Sequence, residues 1–346
     1  MKIKHTIPHA SCIKGIVKAP KGYAMSYFDV SQAEPRTCAY LMEKDKMREC
    51  YETGKDLYYM TAAIMHNQTY EEFTSRPDAK QFRSNFKTVL LGLLYGMGPD
   101  TLGGRIHADR ETAIEYINAL FKTFPKLKPA IAERQEYPLT HHRECMTFWG
   151  DKMFTDNGDD ATKRRYGINY PIQGNTSIAL TAGFYNVVRQ CEDAHLNIRP
   201  VLAIHDALVC YFPIEQIWDL NAFYTHNFTD YLYEKTQVKY KFSVNYGTDY
   251  FNMVEMINLS DDEIQMEGSN QAIIQLMERL DEVGFKYEIV SQKNEIKVDS
   301  QILMKRYNAF YGENTSYDED VSKNKVVLRR LSECSYKVPK YHNLDI

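Results

Sequence analysis

The sequence predicts an α+β fold, an antiparallel sheet interrupted by a long helical insertion and followed by a small C-terminal α+β unit. Three observations carry that prediction. Two apolar stretches of strand type, 21–30 and 199–212, each reach a carboxylate, Asp29 and Asp206. Between them, residues from about 36 to 140 repeat their apolar positions at helical spacing. From about 253 the pattern changes to short strands around one amphipathic helix.

Each element follows from local chemistry. "KGYAMSYFDV" alternates and reads as a strand ending at Asp29. "EPRTCAYLMEKDKMRECYETG" reads as a helix stopped at a glycine, and "DLYYMTAAIMHN" as one stopped at an asparagine. "SRPDAKQF" opens a further helix, with Ser75 and Pro77 as start signals. "ETAIEYINALFKTF" and "PKLKPAIAERQEY" are two more helices, parted at Pro125. Residues 150–165, "GDKMFTDNGDDATKRR", are polar and read as a loop. A long helix then begins with Asn169 as its cap and Pro171 in its first turn. "RPVLAIHDALVCYF" is a tight hairpin of buried strands meeting at His205-Asp206. Residues 214–235 form a helix and 240–251 a strand with its turn. The last part has strands at 251–260, 263–268, 286–292 and 295–299, helices at 270–284 and 300–312, and a polar tail.

The composition is that of an ordinary globular chain of 346 residues, 44% hydrophobic, 25% charged and rich in tyrosine (26). A formal charge of -4 excludes a uniformly basic polyanion-coating protein, so any polyanion site is a local patch. Such patches are Arg76, Lys80, Arg83 and Lys87, then Lys122, Lys126 and Lys128, and the run Lys163-Arg164-Arg165. Seven scattered cysteines without a C-x-x-C pair point to a reducing compartment and no disulfide framework. His5, His9 and Cys12 form the most metal-like cluster, one ligand short of a zinc site. No apolar run is long enough to span a bilayer, so a cytoplasmic protein with no membrane partner is expected.

Chemistry concentrates in two places. In "RSNFKTVLLGLLYG" (83–96), Arg83, Lys87, Leu91 and Tyr95 recur every four residues and form one stripe, charged at one end and flat at the other. Two cations at i and i+4 repel unless an anion bridges them, so the stripe fits a phosphate-bearing ligand with a ring. A helix with a solvated cationic face explains the same pattern, although Gly92 and Gly96 beside it favour close approach of something to the backbone. Asp29 and Asp206, each reading singly as a turn residue, would repel if adjacent and would then need a cation between them. Two carboxylates plus phosphates are what Mg²⁺ prefers.

Taken together these residues resemble the family A DNA polymerases, in order along the chain. "DVSQAEPR" (29–36) is similar to their motif A, 83–96 to motif B on the fingers helix, "RYGINYPIQG" (165–174) to the segment before motif C, and "AIHDA" (203–207) to motif C. The resemblance covers roughly residues 7–252. It implies palm at 1–35 and 160–252 and helical fingers at 36–159, and it leaves 253–346 unexplained, a stretch whose own pattern reads as an accessory α+β domain of unknown role. It implies template-directed DNA synthesis with two Mg²⁺ ions ligated by Asp29, Asp206 and the Val30 carbonyl. Arg83 and Lys87 would hold the dNTP triphosphate, with Leu91 and Tyr95 against base and sugar and Gln32 also at the nucleotide. Glu34 would crowd the 2′ position and reject ribonucleotides. Arg165, Asn169, Gln173 and His205 would contact primer-template DNA, and Gly92 would leave room beside the nascent pair.

The departures are as informative. Ala207 stands where the family usually has Glu, and Leu91 where it usually has an aromatic residue. The thumb and exonuclease that precede motif A in the family are expected on a separate chain, as in a split bacteriophage polymerase working in host cytoplasm. The alternative is a non-catalytic nucleic-acid-binding or scaffold subunit derived from a polymerase. A single-subunit RNA polymerase is disfavoured by Glu34.

Overall fold

The computed structural model describes residues 14–41, 46–141, 144–147, 150–155, 158–193, 197–293 and 324–331. The His5, His9 and Cys12 cluster and the elements expected at 295–299 and 300–312 lie outside the described residues. The expected α+β class is what the chain adopts, with a mixed helical and antiparallel architecture.

In chain order the elements are β1 (Tyr23–Ser31), α1 (Ala33–Leu41), α2 (Lys46–Glu52), α3 (Leu57–Met65), α4 (Tyr70–Thr74), α5 (Ala79–Leu94), α6 (Pro99–Arg105), α7 (Arg110–Thr123) and α8 (Leu127–Thr140). A small hairpin, β2 (Glu144–Met146) and β3 (Lys152–Phe154), precedes α9 (Asp160–Asp193), β4 (Arg199–Ile204) and β5 (Ala207–Pro213). Then come α10 (Leu220–Tyr224), α11 (Tyr231–Thr236), β6 (Lys241–Gly247), β7 (Met253–Asn258), β8 (Glu263–Gly268), α12 (Asn270–Glu282), β9 (Tyr287–Lys293) and β10 (Asn324–Arg330).

The chain forms two compact units. One comprises the described residues up to Val30, Phe184–Phe228 and the described residues from Phe242. Its strands make one sheet in the order β4-β5-β1-β6-β7-β8-β10-β9. β1 and β5 are antiparallel, with Tyr23 opposite Pro213 and Asp29 opposite Ala207. Strand alternation sends Phe28 into an aromatic cluster, its ring 4.4 Å from Phe242, 4.8 Å from Tyr224 and from Phe228, and 5.9 Å from Phe184. The other face carries Met25 and Val209, with Tyr27, Tyr211 and Tyr250 packed around them. α12, capped by the Ser269 hydroxyl, buries Ile273, Leu276 and Leu280 and packs on β7 and β8.

The second unit, Ser31–Gly183 with Thr229–Lys241, is helical. Its core joins Leu57, Tyr58 and Ala62 of α3, Phe86, Leu90 and Leu94 of α5, Leu102 of α6 and Leu120 of α7.

Several elements differ from the sequence reading; β4, expected to be a buried strand, lies at the sheet edge and is largely exposed. Residues 34–54 give two helices, α1 and α2, on either side of 42–45. α5 starts at Ala79, later than Ser75 and Pro77 suggested, because Ser75 terminates α4 and Asp78 is clamped by Arg76 at 2.6 Å. α9 starts at Asp160 rather than Asn169, since Asp159 accepts the Thr162 N–H at 2.8 Å, and Pro171 lies inside the helix. The polar stretch expected as a loop at 150–165 thus contains β3 and the first turns of α9. Residues 214–235 are broken by a π-helical segment, Thr225–Asp230. There the Asn227 amide donates to the Phe223 carbonyl at 3.0 Å, and Asn186 of α9 donates to the Asn227 carbonyl at 2.7 Å. The tail read as polar contains β10, which inserts between β8 and β9.

Candidate active site

In the first unit, β1 delivers Asp29 and the β4–β5 hairpin delivers Asp206 to neighbouring ends of two paired strands. The Val30 N–H donates to the Asp206 carbonyl at 3.0 Å and ties the two ends together. Both aspartates are half-buried, and His205 beside them is exposed with a left-handed φ of 54°. A non-glycine residue held there costs about 1–3 kcal/mol, which the closed hairpin sustains. Burial first, then the negative charges of Asp29, Tyr250 and Asp206, push the Tyr27 phenol up to about 12. Both carboxylates thus lie near enough to the Tyr27 phenol to disfavour its ionisation.

No group of three or more His, Cys, Asp or Glu residues forms a metal site among the described residues. The donor set at the strand ends is two carboxylates with backbone oxygens alongside. That set fits a hard divalent cation completed by ligands from outside the protein, such as phosphate oxygens and water.

In the second unit, a hydrogen-bonded chain runs through Gln32, Asp56 and Arg83. Gln32, just past β1, also has a left-handed φ, 55°. Its amide nitrogen donates to Asp56 Oδ2 at 3.3 Å, and the Tyr51 hydroxyl donates to its carbonyl at 3.1 Å. Arg83 donates twice to the same Asp56 oxygen, from Nε at 3.0 Å and Nη2 at 2.8 Å. A second cluster joins three helices. Tyr95, at the C-terminal end of α5, donates its hydroxyl to Glu34 of α1 at 2.8 Å and accepts from the Gln173 amide of α9 at 2.8 Å. Burial and then the Glu34 bond raise the Tyr95 phenol above its ordinary value.

The remaining residues of the stripe are explained in part by packing. A Cβ on Gly92 would meet Leu102 Cδ2 and lie 3.3 Å from Met97 Sδ. Gly96 has φ 74°, and the Arg165 side chain lies across it, with Cγ 2.6 Å from where a Cβ would sit. Arg165 also donates to the Thr162 hydroxyl at 2.9 Å, and Asn169 and Gln173 follow it at four-residue spacing along α9. Leu91 is half-buried, whereas Lys87 is exposed with no ion pair among the described residues. Sequence reasoning missed Asp56. The signal was present, an Asp directly before an apolar helix, but it reads fully as the α3 cap, which it also is: Asp56 Oδ1 accepts the Tyr58 and Tyr59 N–H groups at 2.9 and 3.2 Å.

The POL domain of Pol1 from M. smegmatis, solved in complex with DNA primer-template and dNTP, superposes with a TM-score of 0.62 at 22% identity over 70% of this chain and 42% of that one. The chain belongs to DNA polymerase family A, whose sequence model matches residues 3–252. DNA polymerase I of Helicobacter pylori strain ATCC 700392 / 26695 is 28% identical over 207 residues, 59% of this chain. That of Chloroflexus aurantiacus is 27% identical over 205 residues, 58% of this chain. The matched segments span 22% and 21% of those relatives' own lengths. No helix among the described residues is long and apolar enough to cross a membrane.

Proposed function

We propose that this chain carries the nucleotidyl-transfer centre of a template-directed DNA polymerase, with palm at 1–35 and 160–252, fingers at 36–159, and an accessory domain at 253–346. The observation that supports it most is the pairing of Asp29 with the residue next to Asp206 across β1 and β5, in a family A chain. Two Mg²⁺ ions, held by Asp29, Asp206 and the Val30 carbonyl, would supply charge neutralisation on the attacking and leaving oxygens.

The protein's own groups bind and orient. Arg83 and Lys87 hold the dNTP triphosphate, Gln32 supports it, and Leu91 and Tyr95 lie against base and sugar. Glu34, fixed by Tyr95 and Gln173, crowds the 2′ position, so a ribose hydroxyl meets a clash and a desolvated carboxylate. Gly92 stands beside the nascent pair, and Arg165, Asn169, Gln173 and His205 contact primer and template through backbone and minor groove. The primer 3′-hydroxyl attacks the α-phosphate and pyrophosphate leaves, a reaction that needs positioning and electrostatics more than covalent chemistry.

The test is primer extension on primed DNA with dNTPs and Mg²⁺, with the chain alone and mixed with a separate chain supplying thumb and exonuclease. Synthesis that disappears in Asp206→Asn supports the reading, and dependence on the second chain supports a split enzyme. Absence of synthesis in every combination, with DNA binding retained, overturns it in favour of a non-catalytic subunit.

A further inference from the structure

Resting on that reading of the site, we infer that Asp56 is a positioning residue for the incoming nucleotide, holding the Arg83 guanidinium ready for the triphosphate. Its two oxygens do different work. Oδ1 caps α3 through the Tyr58 and Tyr59 N–H groups. Oδ2 faces the other way and accepts Nε and Nη2 of Arg83 together with the Gln32 amide.

A single oxygen bound to the Nε–Nη2 edge leaves the opposite edge of the guanidinium, with Nη1, open for a second anion. Arginine has five N–H groups in a rigid fork, so one edge can be anchored while the other meets a phosphate in bidentate fashion. The Arg83 side chain is 35% exposed and Asp56 17%, so the anchor is the more buried of the two. The rings of Tyr58 and Tyr59, 5.5 and 5.7 Å from the guanidinium carbon, confine it further.

A carboxylate near a triphosphate is unfavourable by charge alone. Here that charge is offset by two backbone N–H groups at the positive end of α3, by the Gln32 amide and by Arg83 itself. What remains is orientation. Arg83 is held in one rotamer before the nucleotide arrives, which lowers the ordering cost of binding. The anchor is in turn set by Gln32, whose carbonyl accepts the Tyr51 hydroxyl.

The test is a double-mutant cycle on dNTP KM and kcat with Asp56→Ser, Arg83→Gln and both together. Serine keeps an α3 cap but removes the charge that holds Arg83. Asp56→Ser is expected to raise dNTP KM about tenfold with a smaller change in kcat, the scale of one charge-assisted hydrogen bond. In the Arg83→Gln background the same substitution should add less than about twofold, because its partner is gone. An equal rise in both backgrounds, or no rise in either, overturns the inference and leaves Asp56 a cap only. Equilibrium dNTP binding, read by quenching of tyrosine and tryptophan fluorescence, applies the same cycle to a preparation that does not extend primers. A wild-type chain that binds no dNTP, whether alone or mixed with the second chain and primed DNA, overturns this inference and the polymerase reading together. Binding that ignores Asp56 overturns this inference alone.

Discussion

Replacing Gly92 by alanine sets two physical effects against each other. Within α5, Gly→Ala gains about 1 kcal/mol of helix propensity, and in an open position that gain would be the whole effect. Gly92 is buried, and an added Cβ would run into Leu102 Cδ2, with Met97 Sδ at 3.3 Å. Leu102 is fully buried in the helical core and has nowhere to retreat, whereas Met97 is half-buried and flexible. Forcing a methyl into a filled core costs about 1–3 kcal/mol, and a backbone-fixed Cβ against a buried leucine belongs at the upper end. The net expectation is a loss of about 1–2 kcal/mol. The assay is urea unfolding followed by helical circular dichroism, where the midpoint should fall at unchanged slope. Leu102→Val removes the obstructing δ-methyls, so the double variant should be more stable than the sum of the two single changes. A Gly92→Ala protein as stable as wild type, or more so, would refute the packing argument.

Phe28→Ala empties the centre of the aromatic cluster and should cost about 3–5 kcal/mol, measured by the same unfolding assay; a loss below about 1 kcal/mol would mean that the ring is not a core element. Tyr95→Phe deletes the hydroxyl that bonds Glu34 and Gln173, and should reduce discrimination against ribonucleotides by about tenfold in competitive rNTP and dNTP incorporation, an unchanged ratio counting against a gate fixed by Tyr95. The phenols of half-buried Tyr27 and buried Tyr240, both raised from 10.0 to about 12, make the fold sensitive to alkali. Between those values the unfolded chain has lost phenolic protons that the folded chain retains. The contribution to stability is therefore full below pH 10 and disappears as pH rises toward about 12. Urea midpoints across that range should fall, and a flat profile would contradict it.

What was legible in the sequence is what local chemistry determines. β1 follows from alternation ending in a costly carboxylate and the β4–β5 hairpin from two apolar runs meeting at another, although the edge strand β4 is exposed rather than buried, and α3, α7 and α12 follow from periodicity with side-chain caps at Asp56, Asp109 and Ser269. The failures are long-range effects overriding local signals. Pro171 looks like a helix start, yet α9 begins eleven residues earlier behind the Asp159 cap, and the Asn175 side chain donates to the Pro171 carbonyl at 2.6 Å. β10 is a short stretch that becomes a strand because β8 and β9 offer it two edges, which no window of sequence contains. Asp56 is the sharper case. Oδ1 satisfies a local rule so completely that it hides the rest, while Oδ2 reaches Arg83, 27 residues onward, and a glutamine in a left-handed turn 24 residues back. A carboxylate has more acceptor capacity than a helix cap consumes. Where the surplus oxygen is half-buried its partner is a donor from elsewhere in the fold, and here that donor is Arg83, the cation proposed to hold the triphosphate.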